Sequence, residues 1–536
     1  MNLFTAISSF NEIVSIRSAR VVACIFAMYT IIVGATTQEL RAQMLDSAKI
    51  QVGTMVTVAS QDYQPLWLVS QRWGTISDQS VDVTSYLQFH NSFPLGSWTP
   101  IQDYGRILRK RSTPSVSYGF SVYNNQLFQQ TRLQEGYLKL NLSHWQLAAG
   151  RYQEIIGEVP SQISSGSLGI SGNAVPIPKV SLGLPRYTDV PFIAPGWVQV
   201  KGQASVGWME EDAFVDKAKF HHRSLYFQVG KRAVISRRTR SAISLFGGMN
   251  QFVIWGGEHP ENGQLPGRIQ DLARFIVPGN NLGFFDYGFT LLTRGFKFRG
   301  YTQSPFEGKG SINPFRIKDR MAGLVVSDTR KGSFFPDITI EAINTTWRDP
   351  NPEGIAEEDD YDFYNNFLYA DGWSYNGRIL GTPLFFDRSR AEHYFGTGYA
   401  SQEARNWNIA NNSINGVHIG LKGYLIDDWT KLSYRTLFTH TINNGNYRDE
   451  NWVEDGKKGQ SYLMQELTFQ LNPLKINGAL GVDVGNLTNN VGGMLGVEYD
   501  LNFKPDLRDL GPVRYKKRMR SGRRRGMKSL RRRRRR

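Results

Sequence analysis

The chain has 536 residues, 40% of them hydrophobic and 12% aromatic, and its one cysteine, Cys24, lies near the start. A lone thiol excludes an internal disulfide framework and a cysteine-ligated metal centre. The formal charge of +16 resembles that of a nucleic-acid binder until it is located: residues 504–536 hold 4 Lys and 13 Arg against Asp506 and Asp509, and residues 36–503 are neutral. No nucleic-acid partner is therefore expected for the body of the chain.

Arg17 and Arg20 precede an apolar run over 21–35 that ends in Val33-Gly34-Ala35. The run is shorter than the roughly 20 residues a membrane-spanning helix needs, and its flanks are those of a secretory signal peptide, assigned to 1–35. Residues 36–50 follow as a short periplasmic segment. Alternation of apolar and polar side chains then dominates, the mark of strands with one apolar face. It runs through Val52, Val56 and Val58, and through Leu66 and Leu68 toward Trp73. It continues in Val81, Val83, Leu87 and Phe89, and in Val116, Tyr118, Phe120 and Val122. Further runs carry Leu138, Leu140 and Leu142, then Val198 to Trp208, Leu225 to Val229 and Phe285 to Leu291.

The last third is the clearest, with runs over 417–425, 432–438, 463–471, 476–484 and 491–503. In the last of these Val491, Leu495, Val497, Tyr499, Leu501 and Phe503 alternate with Met494, Glu498, Asp500 and Asn502. No helical period competes, and no internal repeat of fixed length supports a propeller or solenoid. The expected fold is all-β: a transmembrane antiparallel barrel over 51–503, with lipid outside, polar side chains inside, and about 18 strands. The Arg-rich segment 504–536 is expected to be disordered. Counting back from a last strand that descends to the periplasm puts 348–416 outside the cell and 258–283 in the periplasm, with 269–276 a candidate helix.

Several stretches resemble a known family. The block over 150–192 reads GRYQEIIGEVPSQISSGSLGISGNAVPIPKVSLGLPRYTDVPF, and His222-Arg223-Ser224-Leu225-Tyr226 follows it. Tyr63-Gln64-Pro65-Leu66-Trp67-Leu68 comes before, and Asp371-Gly372-Trp373-Ser374-Tyr375-Asn376-Gly377-Arg378 with Gly381-Thr382-Pro383-Leu384 comes after. In this order they resemble the Wzi family of outer-membrane capsule assembly proteins, in a Bacteroidota-like branch. The resemblance implies a barrel of about eighteen strands with small helical elements toward the periplasmic end. It also implies a lectin-like, non-enzymatic role in holding capsular or other surface polysaccharide to the cell.

The chemistry-bearing residues agree with a binding role. None of G-x-S-x-G, H-E-x-x-H or G-x-x-x-x-G-K-[ST] occurs, so three common catalytic signatures are missing. No cofactor and no metal are expected; His221 and His222, adjacent on a strand, point to opposite faces. The glycan-binding candidate is residues 357–378, where Tyr361, Tyr364, Trp373 and Tyr375 are interleaved with Asn365, Asp371 and Arg378. Flat rings suit the CH faces of sugars, and amide, carboxylate and guanidinium groups suit their hydroxyls. The same rings would equally build a small core for the loop itself. Basic clusters at 106–111 and 231–240 are candidates for lipopolysaccharide phosphates. Outer-membrane lipid, lipopolysaccharide and surface polysaccharide are the expected partners, and a monomer the expected state. A carbohydrate-selective porin is the alternative if the lumen is open, and an outer-membrane lipid hydrolase a second one.

Overall fold

A computed structural model describes residues 48–95, 114–190, 193, 196–210, 213–230, 241–268, 270, 279–307, 318–330, 334–347, 362–395, 408–427, 431–446 and 456–501. The expected signal peptide, residues 36–47, the Arg-rich segment, Tyr361, the candidate helix over 269–276 and both basic clusters lie outside them.

Eighteen strands form one sheet. They are β1 (Lys49–Tyr63), β2 (Gln79–Pro94), β3 (Ser115–Asn125), β4 (Gln130–Leu142), β5 (Trp145–Arg151), β6 (Lys179–Asp189), β7 (Val198–Trp208), β8 (Lys219–Val229) and β9 (Ala242–Trp255). The second half comprises β10 (Asn280–Leu292), β11 (Phe296–Phe306), β12 (Arg320–Asp328), β13 (Asp337–Asn344), β14 (Ile414–Asp427), β15 (Lys431–Asn443), β16 (Lys458–Leu471), β17 (Leu474–Gly485) and β18 (Asn490–Asp500). Each pairs antiparallel with its neighbours in sequence, and β1 closes on β18 from Gln51 opposite Asp500 to Ala59 opposite Gly492. The closed barrel of about eighteen strands is thereby borne out. Closure leaves no unpaired edge, which a sheet in hydrocarbon requires.

The alternation reads as expected along the last strand. Leu495 is 61% exposed on the outer wall, while Met494 beside it is buried within. Val56 and Val58 on β1, Leu225 and Phe227 on β8 and Leu480 and Val484 on β17 also face outward. Inside, Glu498 accepts hydrogen bonds from Gln51 and Tyr86 and pairs with Lys475.

Three expectations are corrected. Leu66 and Leu68 do not lie on a strand: Leu66–Val69 is one helical turn, α1, fully buried in the bore. Pro65 at its N-cap breaks away from β1, and the inward turn buries both faces of a segment whose alternation had looked like a strand. Nor do 258–283 open to the periplasm. Four strands, β10 to β13, lie between that segment and the span 345–413, so an even count places both at the same end, opposite the starts of β1 and the end of β18. The three strands β11, β12 and β13 had been missed. The second described helix, α2 (Arg388–Phe395), also lies at this far end, where Arg390 meets Asp78 and Gln64, not at the periplasmic end expected of the helical elements.

Connections at the two ends differ in length. Residues 143–144, 293–295 and 472–473 turn tightly at the end that holds both strand termini, where 95–114 is the longest connection, whereas 152–178 and 345–413 leave from the other. Short periplasmic turns and long external loops are the outer-membrane pattern. A lysine at the mid-wall position Leu495 is expected to lower barrel stability by ~2–4 kcal/mol, read as a reduced unfolding midpoint in lipid vesicles. The same change at the lumen-facing Asn477 should leave that midpoint within measurement error.

Candidate functional site

An 18-stranded barrel of this size would enclose a water-filled channel if left empty. Three segments fold into this one instead: 64–78, 152–178 and 362–387. Trp67, Leu68, Ile163, Leu168, Phe363, Tyr364, Trp373 and Leu384 from these segments join wall residues Phe220, Phe252, Phe284 and Tyr301 in a single buried cluster. Glycines make room where filler backbone meets wall. A Cβ on Gly481 would stand 2.8 Å from Leu68, one on Gly492 2.7 Å from Pro65, and Gly420 lies directly under Ile163.

The fillers are tied to one another by main-chain bonds. Ser171 N–H donates to Leu380 O at 2.9 Å and Trp73 N–H to Gly172 O at 2.8 Å. Side chains complete the lattice: Trp373 Nε1–H donates to Gly169 O at 2.8 Å, Tyr364 Oη to Leu168 O at 2.6 Å, and Thr382 Oγ1 to Ser165 O at 2.9 Å. Charge clamps tie them to the wall. Glu158 lies between Lys201 and Arg299, Glu154 meets Lys179 at 2.6 Å, and Glu466 binds both Arg72 and Arg435. Burial alone would raise the Glu154 carboxyl, but the Lys179 ammonium outweighs it and holds the group at about 2.

The sequence-predicted glycan residues are all in this filler, apart from Tyr361. Trp373 is fully buried against Phe220 and Phe252, with ring centroids at 6.2 and 5.4 Å. Tyr364 packs edge-on to Phe385, and Tyr375 receives the Arg151 guanidinium at its hydroxyl. Asn365 bridges Asp362 and the Ile409 backbone, and Asp371 accepts from Phe214 N–H at 2.6 Å. The rings thus spend their faces on the packed interior, the second of the two roles their composition allowed.

Arg378 is placed differently. Asn376 and Gly377 both have positive φ and form the two-residue turn of a small hairpin, pairing Tyr375 with Arg378. The turn aims Arg378 toward the open end, where its Nη2 lies 3.5 Å from Asp78 and donates to Ile76 O at 2.6 Å. Arg390 of α2 reaches the other Asp78 oxygen at 3.2 Å, and Asp387 caps the helix by accepting from Arg390 N–H at 2.9 Å. His393 stacks on Tyr63 at 4.6 Å.

Asp78, Asn173, Arg378, Asp387, Arg390 and His393 line a cavity of about 90 Å³. Desolvation would raise the Asp78 carboxyl, but the two guanidinium groups hold it below the usual range, whereas burial raises that of Asp387. The result is an alternation of strong donors and acceptors, the pattern that vicinal hydroxyls satisfy. Sequence reading missed Asp78, Arg390 and His393. Asp78 and Arg390 are 312 positions apart, and no local signal joins them. A second cavity, of about 380 Å³, lies toward the opposite end and is lined by Lys201, Lys297, Arg299 and Lys422 with Glu158 and Asp337. Among the described residues no group of three His, Cys, Asp or Glu is placed to hold a metal ion.

The model of the capsule assembly protein Wzi family matches residues 110–395. No curated protein sequence matches the chain. Among solved structures it is similar to OpdL of Pseudomonas aeruginosa, at 10% identity over 85% of this chain and 98% of that one, with a TM-score of 0.42. OprD of the same organism is similar at 11% identity over 85% and 96%, with a TM-score of 0.41.

Replacing Trp373 with Ala should cost ~3–5 kcal/mol through the cavity left, read as a lowered thermal midpoint of the purified barrel. The Asp78 cluster predicts a pH response with a defined sign. Its folded value lies below the unfolded one of about 3.9, so the stabilisation is present above about pH 4 and is lost as the pH falls through the folded value. Asp78→Asn should flatten that acid limb of the midpoint-versus-pH curve.

Proposed function

The chain belongs to the Wzi family of capsule assembly proteins, barrels of the bacterial outer membrane, and on that premise we propose that it holds surface polysaccharide at the cell without catalysing a reaction. The observation that carries the reading is the filled bore. Buried aromatic rings and hydrogen-bonded backbone occupy the lumen, which is the wrong interior for solute passage and a rigid platform for a site at the external rim.

Capsular glycan, in this reading, is met by the polar pocket around Asp78, Arg378, Asp387 and Arg390. Tyr364, Trp373, Tyr375 and Asn365 act through the shape of the filler, and Asp371 anchors its base. Rigid support under a few polar groups that line a pocket reduces the ordering cost of binding. The pocket is small, so one sugar or part of one would sit there, and repetition along a polymer held by many barrels would supply avidity.

Cells carrying Arg378→Ala with Arg390→Ala should shed polysaccharide into the medium, with total synthesis unchanged and the barrel still folded in the membrane. Equal cell-attached polysaccharide in variant and wild type sinks the proposed site. In planar bilayers the wild-type protein should pass little current; steady porin-like conductance would favour the alternative of a carbohydrate-selective pore.

A further inference from the structure

On the outer wall, cross-strand register lines up three rungs across β12, β13, β14 and β15. The first, nearest the external end, is Arg320, Asn344, Asn415 and Ile442. The second is Ala322, Ala342, Val417 and His440, and the third is Leu324, Ile340, Ile419 and Phe438. The third rung is large and apolar, each member between 37% and 54% exposed, as a lipid-facing position requires. The two alanines of the second rung leave the wall recessed between a polar row above and a greasy row below. The recess is a groove of about 470 Å³.

Its upper lip is cationic. Lys318 is exposed, its ammonium 3.9 Å above the Trp347 ring, and Asn344 fixes the Lys318 backbone with a 2.9 Å bond. Arg320 and His440 share the lining, and among the described residues no carboxylate does. Trp347 is half exposed, as an interfacial aromatic is, and so marks the depth at which the hydrocarbon begins. A cation placed there, on a wall that faces lipid, meets a headgroup. Strands lie about 4.8 Å apart and same-face rungs about 7 Å apart, so the patch is wide enough for a disaccharide and deep enough for the first methylenes of an acyl chain.

We infer that this groove binds a phosphorylated glycolipid of the outer leaflet, of the lipid A type, one phosphate meeting Lys318 and Arg320 and one acyl chain lying over Ala322 and Ala342. Guanidinium and ammonium bind phosphate through charge-assisted hydrogen bonds, and the alanines receive a chain that larger side chains would turn away. The inference rests on the membrane location and the wall geometry, and is independent of where the polysaccharide binds.

The test uses the full chain purified in detergent and incubated with bisphosphorylated lipid A, with the same lipid A stripped of phosphate, or with phosphatidylglycerol. Lipid carried into native mass spectrometry is then counted. The wild-type barrel should retain the bisphosphorylated form at least tenfold more than either other lipid. Lys318→Ala with Arg320→Ala should abolish that preference, and Ala342→Phe, which fills the recess and leaves both cations in place, should reduce retention by a similar factor. Lys318→Ala alone gives the charge arm a variant that does not touch a strand residue. Equal retention of phosphorylated and stripped lipid A, or a Lys318→Ala, Arg320→Ala double variant that binds like the wild type, overturns the proposal. Equal retention of phosphatidylglycerol overturns the glycolipid identity.

Discussion

A peptide group in hydrocarbon has no water to bond with, and every strand of this wall must therefore find two neighbours. That requirement is met where β1 pairs with β18, nine residues deep. Once the ring is closed, the other features follow from it. Each strand acquires an outside that lipid selects for Val, Leu, Ile and Phe, and an inside freed from that selection, where Glu498, Glu466, Glu341 and Asp286 are placed.

Closing eighteen strands creates a bore that must be water-filled or packed. Here it is packed, and the means are written into both partners. Segments 64–78, 152–178 and 362–387 bring aromatic and small residues; the wall answers with glycines at 420, 481 and 492 and with charged clamps at Lys179, Lys201, Arg299 and Arg435. Buried ion pairs of this kind add little net stability, but loss of one partner strands the other. They therefore set where each filler sits more than how tightly the barrel holds.

A packed lumen moves function to the surfaces. At the external rim the filler ends in a polar pocket held by two arginines on one aspartate, and on the flank the wall itself carries a cationic lip above a recess. The two sites ask different things of the fold. The first needs segments that are far apart in the chain to meet inside the barrel, and the second needs only the register of four neighbouring strands.

The alternation in the last third, and with it the barrel, was legible because lipid reads side chains one by one along a strand, a local pattern. It failed where the filler packs. Residues 250–255 of β9 and 300–306 of β11 are buried throughout, with Asn250, Gln251, Thr302, Gln303 and Ser304 among them, and where both faces are buried the apolar-polar beat of two residues disappears. Missing β11, β12 and β13 inverted the placement of 258–283, although β13 keeps an alternating burial pattern. Leu66 and Leu68 erred in the opposite direction: a strand-like beat in a segment that turns inward. The composition of 357–378 told of aromatic packing and polar display without telling which residues do which. Burial of Trp373 and the placement of Arg378 on the pocket wall depend on what the rest of the chain places around them, as does the meeting of Asp78 with Arg390. Sequence alone determined the class of fold and its solvent on either side, since those act residue by residue; the plug, the pocket and the groove were decided by tertiary structure, since each is a relation between segments that no local pattern records.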